Sequence, residues 1–469
     1  MNLLCLLSKI PLAARIPGEL LRFAIFSVRP FIKLLVSLTI TIKEFSKSNP
    51  NQMSSHIPFD IITRILSNLD IKTLLCFRSV SKEWRSLIDS NGFISTHMSL
   101  SIKTNTNNTL LILGEGGLNP INFDDLSPGD LLNLQDQPFI SIFGWQDVRL
   151  MGSCNGLVCL SNDDGDVVIL NQSTRENKGI LSLVRHRFEL SVSSAPDEHW
   201  VWGSGYGFGY DAVSNDYKVV SIAKFLGIGF TSFKESEMTI YSAKKDLCWV
   251  IKIPYAMLFT NDKMGVYVHG SLHWIAKGFG SWRDRIVGFD LGLDEFREVP
   301  QPDYGGNIVI DIDLGVLGSF LCVFAKFRDW SADVWIMKEY GVKESWSKVF
   351  SISRNVLFYD SVRPLSYSRK GREVLLELDE RRLVWYGMET RRVVDVVIQG
   401  RKKERLEAIL CLNSLVPPDG NDRVVNSQQP TKEKKKNEEE VLLDLVFLGV
   451  LGLMIELLNV CIFQLNFSI

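Results

Sequence analysis

The chain has 469 residues, 46% of them hydrophobic and 23% charged, which excludes a disordered protein and gives length for about two or three domains. A formal net charge of −2, with 52 Lys and Arg against 54 Asp and Glu, argues against a strongly basic nucleic-acid-binding face. Eight cysteines (Cys5, Cys76, Cys154, Cys159, Cys248, Cys322, Cys411 and Cys461) contain no CxxC pair, so buried reduced thiols in a cytosolic or nuclear protein fit better than disulfides or zinc.

Residues 1–52 are apolar, with Arg15, Arg22, Arg29 and Lys33 but few acids. They read either as a targeting or signal-anchor segment or as an extension outside the folded core, with Met53 as the natural first residue. The second reading is adopted.

Residues 55–98 read as helical. Ile61, Ile62, Ile65, Leu66 and Leu69 form the stripe of an amphipathic helix, with Pro58 and Asp60 as its start signals. A second helix runs through Leu74, Leu75, Phe77 and Val80. Ser81 caps a third, in which Trp84, Leu87 and Ile88 share a face, and Asn91-Gly92 is expected to stop it. A helical unit of about forty residues buries too little surface to stand alone. Its apolar faces need the rest of the chain or a partner's helices to complete them.

From 100 to 418 the period changes to two. "DVVIL" (166–170), "YKVVSI" (217–222), "MTIYSA" (238–243), "VYVHGSLHWIA" (266–276), "IVGFDL" (286–291) and "DVWIMKE" (333–339) read as short strands between Gly, Asn and Asp clusters. The stretch 374–398 gives three consecutive strands, the meander that forms most of a propeller blade. No strict period repeats, so pattern alone leaves propeller and sandwich both open. The length suits six or seven blades of about 45 residues each.

A charged linker (419–440) contains "KEKKK", a solvated run or a nuclear signal, and "RKKER" (401–405) reads as an exposed turn. Residues 441–469 are apolar over more than the roughly 20 residues that a bilayer span needs. Asp444 and Glu456 inside that segment each cost about 2.5–3.5 kcal/mol near a bilayer centre.

Catalytic constellations are absent by spacing. His269 and His273 are four apart but in a strand and turn, where the helical HExxH geometry does not apply. "GYGFGYD" (205–211) has no following helix to receive a phosphate and reads as a strand-edge turn. Cys154 and Cys159 lack basic neighbours and read as core, and Asp163-Asp164 as a hairpin turn. Asn107 and Asn171 match the glycosylation pattern, which needs a secretory chain. No metal and no cofactor is nominated.

"IPFDIITRIL" and "IKTLLCFRSVSKEWRSLI" together resemble an F-box, with the family's "VSKxWxxLI" ending intact at 80–88. Asp70 stands where relatives usually have Pro, which loosens the expected turn. "GSCNGLVCL" (152–160), "GFGYDAVSNDYKVV" (207–220), "VHGSLHWIA" (268–276), "IVGFDLGLDEFREVPQP" (286–302), "DVWIMKEYGVKESWSKVF" (333–350) and "SLVPP" (414–418) resemble the plant F-box-associated domain of the F-box/kelch-repeat-like group. "NQSTRE" (171–176) departs from that family's "NPSTRE" at Gln172.

The resemblance implies an α+β multidomain chain: a small three-helix F-box (53–98) followed by an all-β domain (100–418), a β-propeller. It implies the substrate-recognition subunit of an SCF-type ubiquitin ligase, itself non-catalytic. The F-box of such a subunit binds a Skp-type adaptor and, through it, a cullin-RING scaffold, while the β domain holds a protein target.

By position in the motif, Ile57, Pro58, Ile62, Leu66, Leu74, Phe77, Val80 and Trp84 are the adaptor-contacting residues or their support. Some of them must form the unit's own core, Trp84 first among them. Aromatics and Arg in loop-like stretches supply interface anchors. They nominate Trp282, Arg283, Tyr304, Arg328 and Trp330 for the target face, or else for packing between blades. The expected partners include no nucleic acid, and the expected location is cytoplasmic or nuclear. The alternative function is a membrane-tethered propeller, possible only through 441–469.

Overall fold

A carboxylate cap orders the helical segment, and a recurring five-residue turn spaces strands of the β domain. The computed structural model of the chain describes residues 59–79, 82–114, 117–133, 145, 148–162, 165–180, 200–226, 233–254, 264–277, 284–353, 361–399 and 406–420. The readings made for Ile57, Pro58, Val80, Ser81, Asp163, Asp164, Trp282, Arg283, 1–52, 401–405 and 421–469 lie outside these residues. Among the described residues no helix is long and apolar enough to cross a membrane.

The helices are α1 (Phe59–Leu66), α2 (Ile71–Phe77), α3 (Lys82–Ile88) and α4 (Asn91–Thr104). Two expectations change here. Asp70 does not loosen its turn, because its carboxylate accepts the Thr73 amide at 2.9 Å and caps α2. Its φ of −71° is also a value that proline adopts, so either residue serves the same turn. Asn91-Gly92 does not end the helical unit either. α3 stops at Ile88, and Asn91 and Gly92 form the first turn of α4, where the Ser90 hydroxyl accepts the Phe93 amide at 3.3 Å. The chain divides into compact units between Leu100 and Ser101.

In the second unit the strands pair consecutively, as alternating sequence with tight turns requires. The first four-stranded blade is β4 (Arg149–Cys154), β5 (Leu157–Ser161), β6 (Val167–Asn171) and β7 (Glu176–Ile180). The second is β8 (Trp200–Asp211), β9 (Asp216–Leu226), β10 (Phe233–Ser242) and β11 (Leu247–Lys252). The third is β12 (Val266–Val268), β13 (Ser271–Lys277), β14 (Asp284–Asp290) and β15 (Glu295–Val299). The fourth is β16 (Val309–Leu317), β17 (Phe320–Phe327), β18 (Ala332–Met337) and β19 (Trp346–Ile352). The fifth is β20 (Val362–Tyr367), β21 (Glu373–Leu378), β22 (Arg382–Gly387) and β23 (Val393–Asp395).

The sixth blade joins the two ends of the domain. β1 (Asn108–Gly114) lies between β2 (Gly117–Asn122) and β25 (Glu407–Leu412), with Leu111 opposite Ile409. β3 (Leu131–Asn133) pairs in parallel with β24 (Val397–Gln399). β25 lies beside β4 on one side and β20 on the other, which closes a six-bladed propeller. Asn171 and Gln172 fix the strand-to-tail closure. The Asn171 amide donates to Ser414 O (3.0 Å) and Val416 O (2.8 Å), and Gln172 donates to Asn413.

The core lies in the seams between blades. Val220, Ile222, Met238 and Ile240 of the second blade meet Leu272, Trp274, Val287 and Phe289 of the third. Each such side chain contributes about 1.5–3 kcal/mol on burial. "GYGFGYD" is not an edge turn but the inner strand β8, packed against that seam. A Cβ on Gly209 would stand 2.4 Å from the Tyr267 ring, and one on Gly207 2.8 Å from Leu272, so close approach of blades requires glycine at both.

One turn recurs at the strand ends that join the first to second and third to fourth strands of a blade. Asn171 accepts from the amides of Ser173 and Thr174, Asp211 from Val213 and Ser214, and Asp290 from Gly292 and Leu293. The fifth residue of each turn has positive φ: Arg175 (62°), Asn215 (52°) and Asp294 (54°). The opposite face carries the longer connections, including Ile180 to Trp200 and Val299 to Val309. Binding residues concentrate on such loops over a rigid scaffold.

Candidate functional site

The helical unit keeps a small apolar core of its own. Leu66, Leu74 and Phe77 are buried, while Ile62 and Trp84 are half-buried. Phe77 meets Trp84 edge to face with centroids 5.3 Å apart. Leu66, Leu74 and Phe77 form this core, and Trp84 packs at its edge. Arg78 bridges to Asp89 at 2.7 Å, tying the end of α2 to the end of α3. The His97 ring makes a 2.7 Å hydrogen bond with Leu69 O, and burial holds its pKa below the usual value. Sequence reasoning did not single out Arg78, Asp89 or His97, because each finds its partner on another element.

On the propeller, Tyr304, Arg328 and Trp330 all stand in connections at one face, the strand 2–3 and blade-to-blade end. Tyr304 packs between Phe327 and Trp335, each ring 6.3 Å away, which is the packing alternative for this residue. Arg328 is exposed, and Trp330 is 47% exposed with the Lys326 ammonium 4.9 Å from its ring centroid. Beside them a cleft of about 570 Å³ is lined by Ile308, Arg328, Asp333, Lys348, Ser351 and Arg391, among others. Lys348 and Arg391 were missed from sequence. One lies in an outer strand and the other in a turn of the next blade, and no local pattern links them.

The searched chemistry resolves into packing. His273 is fully buried, its Nδ1 2.9 Å from Val266 O and its Nε2 2.7 Å from the Tyr340 hydroxyl. Val266 O can only accept, so Nδ1 carries the proton and Nε2 accepts from Tyr340. Burial pushes the His273 pKa down to about 4, so the ring is neutral at physiological pH. His269 occupies the tight turn at φ 50°. Cys154 and Cys159 are buried, and burial pushes both thiols up, away from nucleophilic reactivity. Among the described residues no group of His, Cys, Asp and Glu could hold a metal ion.

Comparison with known proteins bears on both units. The F-box domain family model matches residues 54–96, and the F-box associated beta propeller domain model matches residues 129–417. The F-box protein CPR1 of Arabidopsis thaliana is 32% identical over 81% of this chain and 94% of its own length. An F-box/kelch-repeat protein of the same plant is 30% identical over 69% of this chain and 85% of its own. Among solved structures, an oligogalacturonate lyase from Vibrio parahaemolyticus superposes with a TM-score of 0.32 at 9% identity. That superposition covers 53% of this chain and 64% of the lyase, a likeness too slight to bear on activity. The match to the propeller family begins after β1 and β2, so these two strands of the sixth blade precede it, while β25 lies within it. The chain belongs to the plant F-box proteins that carry an F-box-associated β-propeller domain.

Proposed function

We propose that this protein is a substrate receptor of an SCF-type ubiquitin ligase, without catalytic chemistry of its own. The F-box docks on a Skp-type adaptor that bridges to a cullin-RING scaffold, and the propeller captures a protein target. The observation that carries this reading is the pairing, in one chain, of an F-box (54–96) with an F-box-associated propeller (129–417).

The half-buried Ile62 and Trp84 are the described residues of the motif best placed to contact the adaptor, with Leu66, Leu74 and Phe77 holding the helices behind them. An interface of this kind takes its affinity from a few apolar and aromatic anchors. Co-purification of the full-length chain with a Skp-type adaptor tests the reading. Ile62→Asp should abolish capture while the propeller's melting transition is unchanged, and capture that survives Ile62→Asp would remove this residue from the interface.

A further inference from the structure

At one corner of the fourth blade, apolar and cationic groups stand exposed side by side. The Arg328 amide donates to Ile308 O at 3.2 Å, which sets the turn before β18 against the chain entering β16. Ile308 is 60% and Ile310 47% exposed, and Ile310 occupies a bulge between the Val309 and Asp311 pairings. In the facing turn Trp330 has φ 65°. The other described non-glycine residues with positive φ are Asn, Asp, Arg, His and Glu, so an indole at such a position is unusual. A strained residue that is also half in solvent points to a role outside the fold.

The adjoining cleft carries three cations, Arg328, Lys348 and Arg391, against two carboxylates, Asp329 and Asp333, that are already engaged. Asp329 is occupied within its own turn, accepting the Ser331 amide (3.0 Å) and hydroxyl (2.6 Å). Asp333 accepts the Ser351 hydroxyl at 2.5 Å and faces the Lys348 ammonium at 3.4 Å. Arg328 and Arg391, one from each of two adjacent blades, line the same cleft, and among the described residues neither guanidinium has a carboxylate partner. Two planar guanidinium forks beside exposed Ile and Trp favour a carboxylate next to a large apolar group.

Resting on the receptor reading above, we propose that this corner seats an extended segment of the target in which an acidic side chain stands beside a large apolar one. The carboxylate pairs with Arg328 and Arg391, and the apolar side chain packs on Trp330 and Ile308.

The test uses the full-length chain with a Skp-type adaptor present, applied to an array of random dodecapeptides that includes serine-phosphorylated copies. The unmutated chain should retain unphosphorylated peptides enriched at least tenfold in Asp or Glu next to Leu, Ile or Phe. R328E/R391E should lose that enrichment with its melting transition unchanged, and W330A should keep the acidic preference and lose the apolar one. Retained peptides without acidic enrichment, retention of phosphorylated copies alone, or the same selection by R328E/R391E would each overturn the proposal. Adaptor capture is read in the same samples. A chain that binds adaptor but shows no acidic selection rejects this site alone, whereas a chain that does not bind adaptor rejects the receptor reading.

Discussion

The Arg363 guanidinium of β20 lies 2.7 Å from the Glu377 carboxylate of β21, and both reach the backbone of Ala408 in β25. Arg363 donates to Ala408 O at 2.7 Å, and Glu377 accepts the Ala408 amide at 2.8 Å. This pair, a buried carboxylate with a half-buried guanidinium, joins the fifth blade to the strand that closes the ring. Glu377→Ala leaves a half-buried cation and an orphaned amide, and should cost up to about 3 kcal/mol in denaturant unfolding. Replacing both residues, Arg363→Met with Glu377→Leu, should cost less than the single change. A double variant less stable than Glu377→Ala would show that the backbone bonds, not the charge balance, govern the joint.

His273 makes stability depend on pH. Its folded pKa, lowered by burial to about 4, lies below the ordinary value of 6.5, so the unfolded chain binds more protons between those values. Stability is therefore greatest above pH 6.5 and falls as pH drops toward 4, by up to about 3 kcal/mol from this ring. The lowered pKa of His97 acts with the same sign. Melting temperatures across this window should flatten in His273→Gln, leaving the slope due to His97. An unchanged slope would assign the dependence elsewhere.

Gly156 has φ +83°, and a Cβ there would lie 2.2 Å from the Ser414 hydroxyl, where the C-terminal tail of the domain docks. Gly156→Ala should destabilise the propeller by about 1–3 kcal/mol from overpacking alone. Gly179, with open space around its Cβ position, should tolerate alanine. Equal melting temperatures for the two variants would contradict the packing at Ser414.

Asp70→Ala removes the α2 cap and should cost the helical unit about 0.5–2 kcal/mol, with Asp70→Ser restoring most of it. Local unfolding, tracked by hydrogen exchange of the Thr73 and Leu74 amides, reads the effect directly. Protection unchanged in Asp70→Ala would mean that tertiary packing holds α2 without the cap.

Much of the fold is legible in the sequence, and the rest is hidden for identifiable reasons. The strands in 374–398 can be read because short apolar runs between turn residues match strands buried in a seam on each face, as β21 and β22 show. The blade count cannot be read, because the repeat lies in turn chemistry at Asn171, Asp211 and Asp290 rather than in a fixed period. β8 is disguised by glycines whose purpose is a neighbouring blade's Tyr267 and Leu272. Closure by β25 pairs residues about three hundred positions apart, as with Thr109 and Cys411, beyond any local pattern. At the candidate target face, loop composition finds Arg328 and Trp330, while Arg391 becomes relevant only when two blades meet.

The receptor reading is tested most directly by mixing the full-length chain with a Skp-type adaptor and measuring the complex by size-exclusion chromatography and calorimetry. A stable one-to-one complex should form with unmutated protein and be lost in Ile62→Asp. A folded chain, with its propeller melting normally, that forms no complex with any Skp-type adaptor would contradict the receptor reading.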